Sequence, residues 1–498
     1  MKDRYITTVD LGTGKIAVSV AKVTGDNTQI LYYREVPSDG VRYGRIFNPV
    51  KASVPLKQAI SDAENELGIK ITQVVVGLPR YGVRQETAFA ETQRSDPGSC
   101  ITQEEIDGVK DMALDTYPLD DEDHEEMYGA VAQSFSTEDA LNYSEEDVVG
   151  MPSSSLQGNF KVFVGNKKAV SNINILLNNA GVAEANRYFL PRATADAVLT
   201  GEEKENGVAL IEMGAGVTSV TIFQDNILRY YYAIPFGGKS ITTDIRLECA
   251  FDDTLAENIK LAFGACLPEK LQTMSDKVLQ INDEENGTYE HLSIKYLSEI
   301  ITSRCREIVQ AILFAIQESG FADRLRCGIV LTGGGANLAN LTNLIKEESG
   351  YNVRVGFPLA RKFSSEGCPG IGEAEASASV GMILEASSDP YLNCISEVPK
   401  PQEKAEPVEY PEAEANGQGR LFAADDFDKA MQAKIKKTPG EKKKKRDATK
   451  PAKPAKPGSD KPSGFKVFWT TMGQKVGSVL EKGFEGTLAG FYDNMDKE

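Results

Sequence analysis

Apolar and polar residues alternate along residues 1 to about 390 in a way that predicts strands and amphipathic helices in turn. FKVFVGNK (160–167) has the period-two alternation of a strand. In ITQEEIDGVKDMAL, Thr102 precedes Glu105 by three residues, a capping-box spacing that predicts the start of a helix. Strands interleaved with helices are typical of an α/β protein.

Two segments each predict a β-hairpin whose turn is built from small residues. They are ITTVDLGTGKIAVSVAKV, with Asp10, Gly12, Thr13, Gly14 and Lys15 at the turn, and VALIEMGAGVTSVTIF, with Glu212, Gly214, Ala215 and Gly216. Glycine lets backbone N–H groups approach phosphate oxygens, and a carboxylate at a strand end can hold a hydrated Mg²⁺. Either hairpin alone is more typical of an ordinary tight turn than of a phosphate site.

A third segment, CGIVLTGGGANLANL, predicts an apolar strand (329–331) that ends in a glycine run. Thr332 and Gly333, Gly334 and Gly335 follow the strand, and a helix is expected to begin near Asn337. Such a turn lets a base or ribose pack against bare backbone, while the helix N-terminus favours negative charge.

In this order and spacing, the three segments resemble the two phosphate motifs and the adenosine motif of the actin, Hsp70 and sugar-kinase superfamily. The resemblance implies ATP with Mg²⁺ clamped between two related α/β domains in an actin-like fold of four subdomains. It places Asp10 and Glu212 near the metal through water, Gly12–Lys15 and Gly214–Gly216 around the phosphates, and Gly333–Gly335 with Asn337 near adenosine. Glu257 and Lys260 in DDTLAENIKLAFG look like the ribose- and base-contacting helix, although alone they would be an ordinary ion pair one turn apart.

Within the superfamily the chain resembles the FtsA family of bacterial cell-division proteins. The segments that carry this resemblance lie at 70–79, 159–182, 233–245 and 373–383, together with an insertion at 84–166. The resemblance implies subdomains 1A (1–83 and 167–207), 1C (84–166), 2A (208–245 and 304–390) and 2B (246–303). Val217 and Ser219 stand where the superfamily's second phosphate motif carries a hydroxyl and a carboxylate. These two substitutions leave ATP hydrolysis uncertain, and at most weak.

Composition and charge narrow the remaining classes. Seven scattered cysteines and two histidines argue against a disulfide framework, a zinc site and a Ser-His-Asp triad. No signal-peptide pattern and no window of roughly 20 apolar residues is found, so we expect a cytoplasmic protein. The net charge of −18 is uneven, because the body is acidic whereas Lys442–Arg446 is a basic run. Residues 391–462, rich in Pro, Glu, Ala and Lys, are predicted to form a disordered linker.

The last segment, 463–492, predicts an amphipathic helix. Its apolar face includes Phe465, Phe468, Trp469, Met472, Val476, Leu480, Phe484 and Leu488. After a lysine-rich linker, an aromatic stripe favours an interfacial membrane helix, with the lysines attracted to anionic lipid. The alternative is a helix that packs on the body or on a partner.

The family resemblance implies a peripheral adaptor that ties FtsZ filaments to the inner face of the cell membrane at the division site. The resemblance implies that the FtsZ C-terminal tail binds on 246–303. Arg304, just beyond this range, resembles a basic position of that surface. The alternative for Arg304 is a solvated helix face. Self-association, and other division proteins bound through 84–166, are also implied; nucleic acid is not. The alternatives are an active ATPase or phosphotransferase of the same fold, and an actin-like assembly protein of a pilus or secretion system.

Overall fold

The protein is seen in a computed structural model that describes residues 3–139, 141–283 and 288–396. The membrane-helix prediction for 463–492, with its apolar face, and the linker prediction from residue 397 onward fall outside the described residues. Over the described ranges, no helix combines the length and the apolar character needed to cross a bilayer.

Strands and helices alternate through the described residues, as the sequence predicted. The strands are β1 (Arg4–Leu11), β2 (Lys15–Thr24), β3 (Asn27–Pro37), β4 (Val41–Arg42), β5 (Arg45–Ile46), β6 (Gln73–Gly77), β7 (Arg84–Gln93), β8 (Glu125–Ser136), β9 (Ser155–Asn166), β10 (Ala183–Tyr188), β11 (Val208–Met213), β12 (Thr218–Gln224), β13 (Ile227–Ile234), β14 (Val278–Asp283), β15 (Thr288–Ser293), β16 (Ile329–Thr332), β17 (Val353–Val355) and β18 (Ser364–Ser365). The helices are α1 (Pro49–Leu67), α2 (Gln103–Thr116), α3 (Glu145–Val148), α4 (Lys167–Ala180), α5 (Leu190–Val198), α6 (Gly201–Asn206), α7 (Gly238–Cys249), α8 (Asp253–Phe263), α9 (Ile294–Glu318), α10 (Leu341–Ser349) and α11 (Ser377–Ser387).

Two sheets with matching topology form the centre of the protein. The first has the order β10-β6-β1-β2-β3-β18, and the second the order β13-β12-β11-β16-β17. In each, an antiparallel three-stranded meander carries a parallel strand beside its first strand: β6 beside β1, and β16 beside β11. This equivalence places the two glycine-rich turns at corresponding positions of the two sheets.

Helices α5 and α11 lie between the first and second sheets. One hydrophobic cluster joins both helices to Ala17 and Ile30 of the first sheet and to Leu210 and Val330 of the second. A separate cluster packs α1 and α4 on the first sheet, and another packs α7, α9 and α10 on the second. The strands that carry the candidate site therefore run through a continuous packed interior, which fixes their ends.

A smaller sheet, β7-β9-β8, is built entirely from residues 84–166, and we call it the inserted sheet. It packs with α2 around its own core, where Phe135 and Phe160 meet edge to face. The capping box of Thr102 and Glu105 is confirmed at the start of α2. β8 begins at Glu125, within the acidic stretch at 120–127.

The inserted sheet also contacts β13 of the second sheet. The Tyr231 N–H donates to Gln85 Oε1 at 2.9 Å, and Gln133 Nε2 donates to the Leu228 carbonyl at 2.9 Å. Arg229 Nη1 donates to the Gln133 carbonyl at 3.0 Å. These hydrogen bonds join a segment that leaves the first sheet to an edge strand of the second.

The prediction that residues 391–396 belong to the disordered linker is wrong. Leu392, Cys394 and Ile395 are buried, and the Cys394 N–H donates to the Tyr5 carbonyl at 2.7 Å. The apolar side chains of this short stretch complete the core beside β1 and β6, so the folded body extends through residue 396.

Candidate functional site

The two glycine-rich turns face one cleft of about 350 Å³ between the first and second sheets. The glycine run after β16 and one side of α8 complete its lining. Every residue predicted to contact nucleotide lies on this lining: Asp10, Gly12, Thr13, Gly14, Lys15, Glu212, Gly214, Ala215, Gly216, Glu257, Lys260, Gly333, Gly334, Gly335 and Asn337. Segments far apart in the sequence are thus brought together, as the superfamily resemblance implied.

The two turns touch each other at the floor of the cleft. A Cβ added at Gly14 would come within 2.9 Å of the Ala215 methyl group, so only glycine fits there. Thr13 Oγ1 accepts a hydrogen bond from the Gly44 N–H at 2.8 Å, and the Thr13 carbonyl accepts one from Lys239 Nζ at 3.1 Å. The turns are therefore held in fixed relation by contacts from both sides.

Arg80, which the sequence analysis did not select, lies between the two acidic residues of the cleft. Its Nη2 is 2.7 Å from Glu212 Oε1, and its Nη1 is 3.8 Å from Asp10 Oδ1. Burial disfavours the charged guanidinium, but Glu212 and Asp10 together raise the pKa of Arg80, so it stays protonated. Burial also raises the pKa of the Glu212 carboxyl, with Arg80 opposing that shift.

The predicted magnesium site does not fit this arrangement. Asp10 and Glu212 are brought together as predicted, and carboxylates are suitable ligands for Mg²⁺. However, both face a guanidinium cation, which would repel a divalent ion at the same place. Within the described residues, no three His, Cys, Asp or Glu side chains lie close enough together to hold a metal ion.

Lys15 lies at the rim of the cleft in a network of carboxylates. Its ammonium forms an ion pair with Glu35 and lies 3.3 Å from Glu375. Tyr33 also donates its hydroxyl hydrogen to Glu35. Since Glu375 lines the cleft, Lys15 is positioned where it can exchange a carboxylate for a phosphate.

Helix α8 presents Glu257 and Lys260 to the cleft, as predicted. Lys260 Nζ donates to Glu257 at 2.7 Å, to Thr242 Oγ1 at 2.9 Å and to the Gly238 carbonyl at 3.1 Å. Thr242 in turn donates to the Glu257 carboxylate. The pair is therefore part of a network linking α7 and α8, rather than an isolated surface ion pair.

The glycine run after β16 forms a tighter structure than the predicted helix start. Gly333 has φ +81° and lies against the Met213 backbone, which excludes a side chain. A 3₁₀ turn, Gly334–Asn337, follows, and α10 begins only at Leu341. The prediction of a helix from near Asn337 is wrong, because Asn340 adopts a left-handed conformation that interrupts it.

Arg304 does not lie on a free surface. It is buried on α9, where it contacts Asp244 through Nε at 2.6 Å and through Nη2 at 2.9 Å, and also Glu307 through Nη1 at 2.5 Å. A bidentate pair of this kind commits the guanidinium to α7. The structure thus gives Arg304 a packing role, against its predicted role as a partner contact.

Three residues of the site, Arg80, Lys239 and Glu375, were not predicted from the sequence. Lys239 and Glu375 fall in segments that carry the family resemblance, where neither residue was given a role. Arg80 falls just after the segment at 70–79, where Pro79 and Arg80 carry no phosphate-binding signature. Its position beside Asp10 follows from the parallel pairing of β6 with β1, which is not visible in local sequence.

Comparisons with known proteins give a consistent result. The family model described as cell division protein FtsA matches residues 209–380. The chain is 29% identical over 362 residues to cell division protein FtsA of Neisseria meningitidis, covering 72% of this chain and 84% of the relative. It is 29% identical over 405 residues to cell division protein FtsA of Borreliella burgdorferi, covering 80% and 94%.

Solved structures show the fold. A PilM-PilN type IV pilus biogenesis complex matches with a TM-score of 0.53 at 16% identity, covering 76% of this chain and 98% of that chain. At this identity the likeness concerns the fold alone. The fold is actin-like, in agreement with the paired sheets and the cleft between them.

Proposed function

Because this chain belongs to the FtsA family of cell division proteins, we propose that it binds ATP in the cleft and links FtsZ filaments to the cytoplasmic membrane. The observation that carries the nucleotide proposal is the convergence of both glycine-rich turns, the glycine run and α8 on one cavity. Hydrolysis is not part of the proposal. Val217 lines the cleft but lacks the hydroxyl that the superfamily's motif has at this position. Ser219 is buried in β12 and lacks the motif's carboxylate.

The cleft offers a clean test of nucleotide binding. Gly334 is exposed on the lining, and a Cβ there meets only Glu375 Oε2, at 3.7 Å. Gly334→Leu should fold normally but fill the space that adenosine would take, weakening ATP binding at least about tenfold in isothermal titration calorimetry. Gly108→Leu places the same side chain on the exposed face of α2, away from the cleft, and should bind ATP like the parent protein. If both variants bound ATP with the same affinity, the cleft would not be the ATP-binding site.

Membrane attachment is proposed through the segment at 463–492. The full chain is compared with a chain truncated before Lys461 by sedimentation with anionic liposomes, with and without ATP. Co-sedimentation of the full chain alone supports the membrane adaptor. If both chains stay in the supernatant under every condition, the segment docks on protein instead.

The FtsZ tail is proposed to bind around 246–303. Within this range α7 and α8 expose three large apolar side chains, Leu247, Leu261 and Phe263, which are candidates for contact with a partner. Leu247→Ser should weaken binding of an FtsZ C-terminal tail peptide by about tenfold, measured by fluorescence anisotropy. Leu141→Ser, which changes an equally exposed leucine near the inserted sheet, is the matched control.

A further inference from the structure

Arg80 is held in the cleft by hydrogen bonds to two consecutive backbone carbonyls, its own and that of Tyr81. The Arg80 carbonyl accepts a hydrogen bond from the Tyr231 hydroxyl at 2.6 Å, and the next carbonyl, that of Tyr81, accepts one from Arg45 Nε at 2.9 Å. The Arg45 guanidinium also lies 5.0 Å from the centre of the Tyr81 ring. The turn after β6 is thus fixed by the second sheet and by the β4–β5 hairpin, and the arginine cannot easily leave the cleft.

Arg80 carries one positive charge between the two carboxylates of Asp10 and Glu212, and its hydrogen bonds are incomplete. Its side chain is 14% exposed, against 13% for Asp10 and 12% for Glu212. Among the described residues, Arg80 Nε finds no hydrogen-bond acceptor and Asp10 Oδ1 finds no donor, although both atoms are buried. Buried groups of this kind are normally satisfied by protein, water or a ligand, so these atoms mark a place in the cleft where further hydrogen bonds can be made.

We propose that Arg80 is a resident cation of the cleft, which receives the phosphates of a nucleoside triphosphate without a divalent metal. The inference rests on the proposed nucleotide binding and deepens it. The guanidinium occupies the place between two carboxylates where the superfamily resemblance put Mg²⁺, and a planar fork of N–H donors suits phosphate oxygens. Lys15 and Lys260 supply further positive charge on the same lining.

The test is ATP binding by the full chain in magnesium and in EDTA, measured by isothermal titration calorimetry. The parent protein is expected to change its Kd by less than about threefold when magnesium is chelated. Arg80→Gln is expected to bind at least about tenfold more weakly in EDTA, and to recover affinity when magnesium is added. Arg34→Gln, which alters an arginine in exposed ion pairs with Asp62 and Glu66, should behave like the parent.

Each outcome bears on a separate conclusion. Parent protein that binds ATP in magnesium but not in EDTA overturns the resident cation while leaving nucleotide binding intact. Arg80→Gln with parental affinity in EDTA overturns it as well. Parent protein that binds under neither condition defeats the nucleotide proposal itself. If circular dichroism shows that Arg80→Gln is unfolded, the double variant Arg80→Gln/Glu212→Gln removes the cation without leaving its main carboxylate partner charged, and the same tenfold loss in EDTA is required of it.

Discussion

The segments 10–15 and 212–217 can be laid residue against residue across the two sheets. Both read carboxylate, apolar residue, glycine, variable residue, glycine, variable residue. The variable positions are Thr13 and Lys15 in the first turn but Ala215 and Val217 in the second. The parallel strands beside the two hairpins also differ in the residues that follow them. A charged residue, Arg80, follows β6, whereas three glycines follow Thr332 at the end of β16.

The glycines that the turn geometry requires are the same in both turns, whereas the side chains that can contact a ligand differ. The two requirements can therefore be met independently. The glycines are matched because each turn closes an equivalent hairpin, and the two turns touch at Gly14 and Ala215. Polar side chains at the variable positions occur only in the first turn, as Thr13 and Lys15. The second turn offers backbone and the apolar side chains of Ala215 and Val217 at these positions, whereas the charged pair Glu257 and Lys260 on that side of the cleft comes from α8.

The largest effect on stability is expected when Arg80, the cation between the two acidic residues, is removed. Arg80→Met should destabilise the protein by about 4 kcal/mol, because Asp10 and Glu212 are left buried without their partner. Thermal and urea unfolding of the variant measure the loss. Arg34→Met removes an arginine from exposed ion pairs, and a change above about 0.5 kcal/mol in that control would make the larger loss nonspecific. A loss below about 1 kcal/mol for Arg80→Met would show that the two turns do not depend on a shared charge.

The helical layer between the two sheets contains a carboxylate that should make the free energy of unfolding depend on pH. Glu385 on α11 is half-buried, its Oε2 has no hydrogen-bond partner among the described residues, and burial raises the pKa of its carboxyl to about 7. A raised folded-state pKa favours the protonated form, so the free energy of unfolding falls as pH rises from about 4.5 to about 7. Glu385→Gln should be more stable than the parent by about 2 kcal/mol at pH 8, and equal to it near pH 4, in urea unfolding. Glu366→Gln, at an exposed site, should match the parent at both pH values. The same stability gain at pH 4 and pH 8 would mean that ionisation is not the cause.

A smaller effect is expected at the variable positions. Lys15→Met leaves Glu35 and Glu375 without their cation and removes a donor facing the phosphates, so ATP affinity should fall about tenfold. Lys22→Met changes a lysine of the same strand that pairs with Asp3, away from the cleft, and should leave the Kd unchanged. Calorimetric titration with ATP distinguishes the two. Full ATP affinity in Lys15→Met would show that Lys15 does not contribute to binding the phosphates.

The smallest effect concerns the hydroxyl that the second turn lacks. Thr13→Val keeps the shape of the side chain but leaves the Gly44 N–H without its acceptor, at a cost of about 1 kcal/mol in urea unfolding. Thr116→Val, on the exposed end of α2, should stay within about 0.5 kcal/mol of the parent. An unchanged stability in Thr13→Val would show that the hydrogen bond from the Gly44 N–H to Thr13 does not stabilise the protein.

Those parts of the fold and of the site whose signal is local could be predicted from the sequence. Strand ends, glycine turns and the capping box of Thr102 depend on neighbouring residues, and each was predicted from them. Arg80 was missed because its role depends on β6 lying beside β1, and Arg304 was misassigned because its burial depends on packing against α7. The helix predicted near Asn337 was displaced by the left-handed Asn340, a conformation that no periodicity signals.

The hydrogen bonds from β13 to the inserted sheet carry a kinetic consequence. The inserted sheet begins at Arg84, four residues after Arg80, and is tied to the second sheet through Gln85 and Gln133. Separation of the two sheets would have to break these bonds and would pull on the segment that carries the arginine. The inserted sheet would therefore slow any opening of the cleft that separates the two sheets.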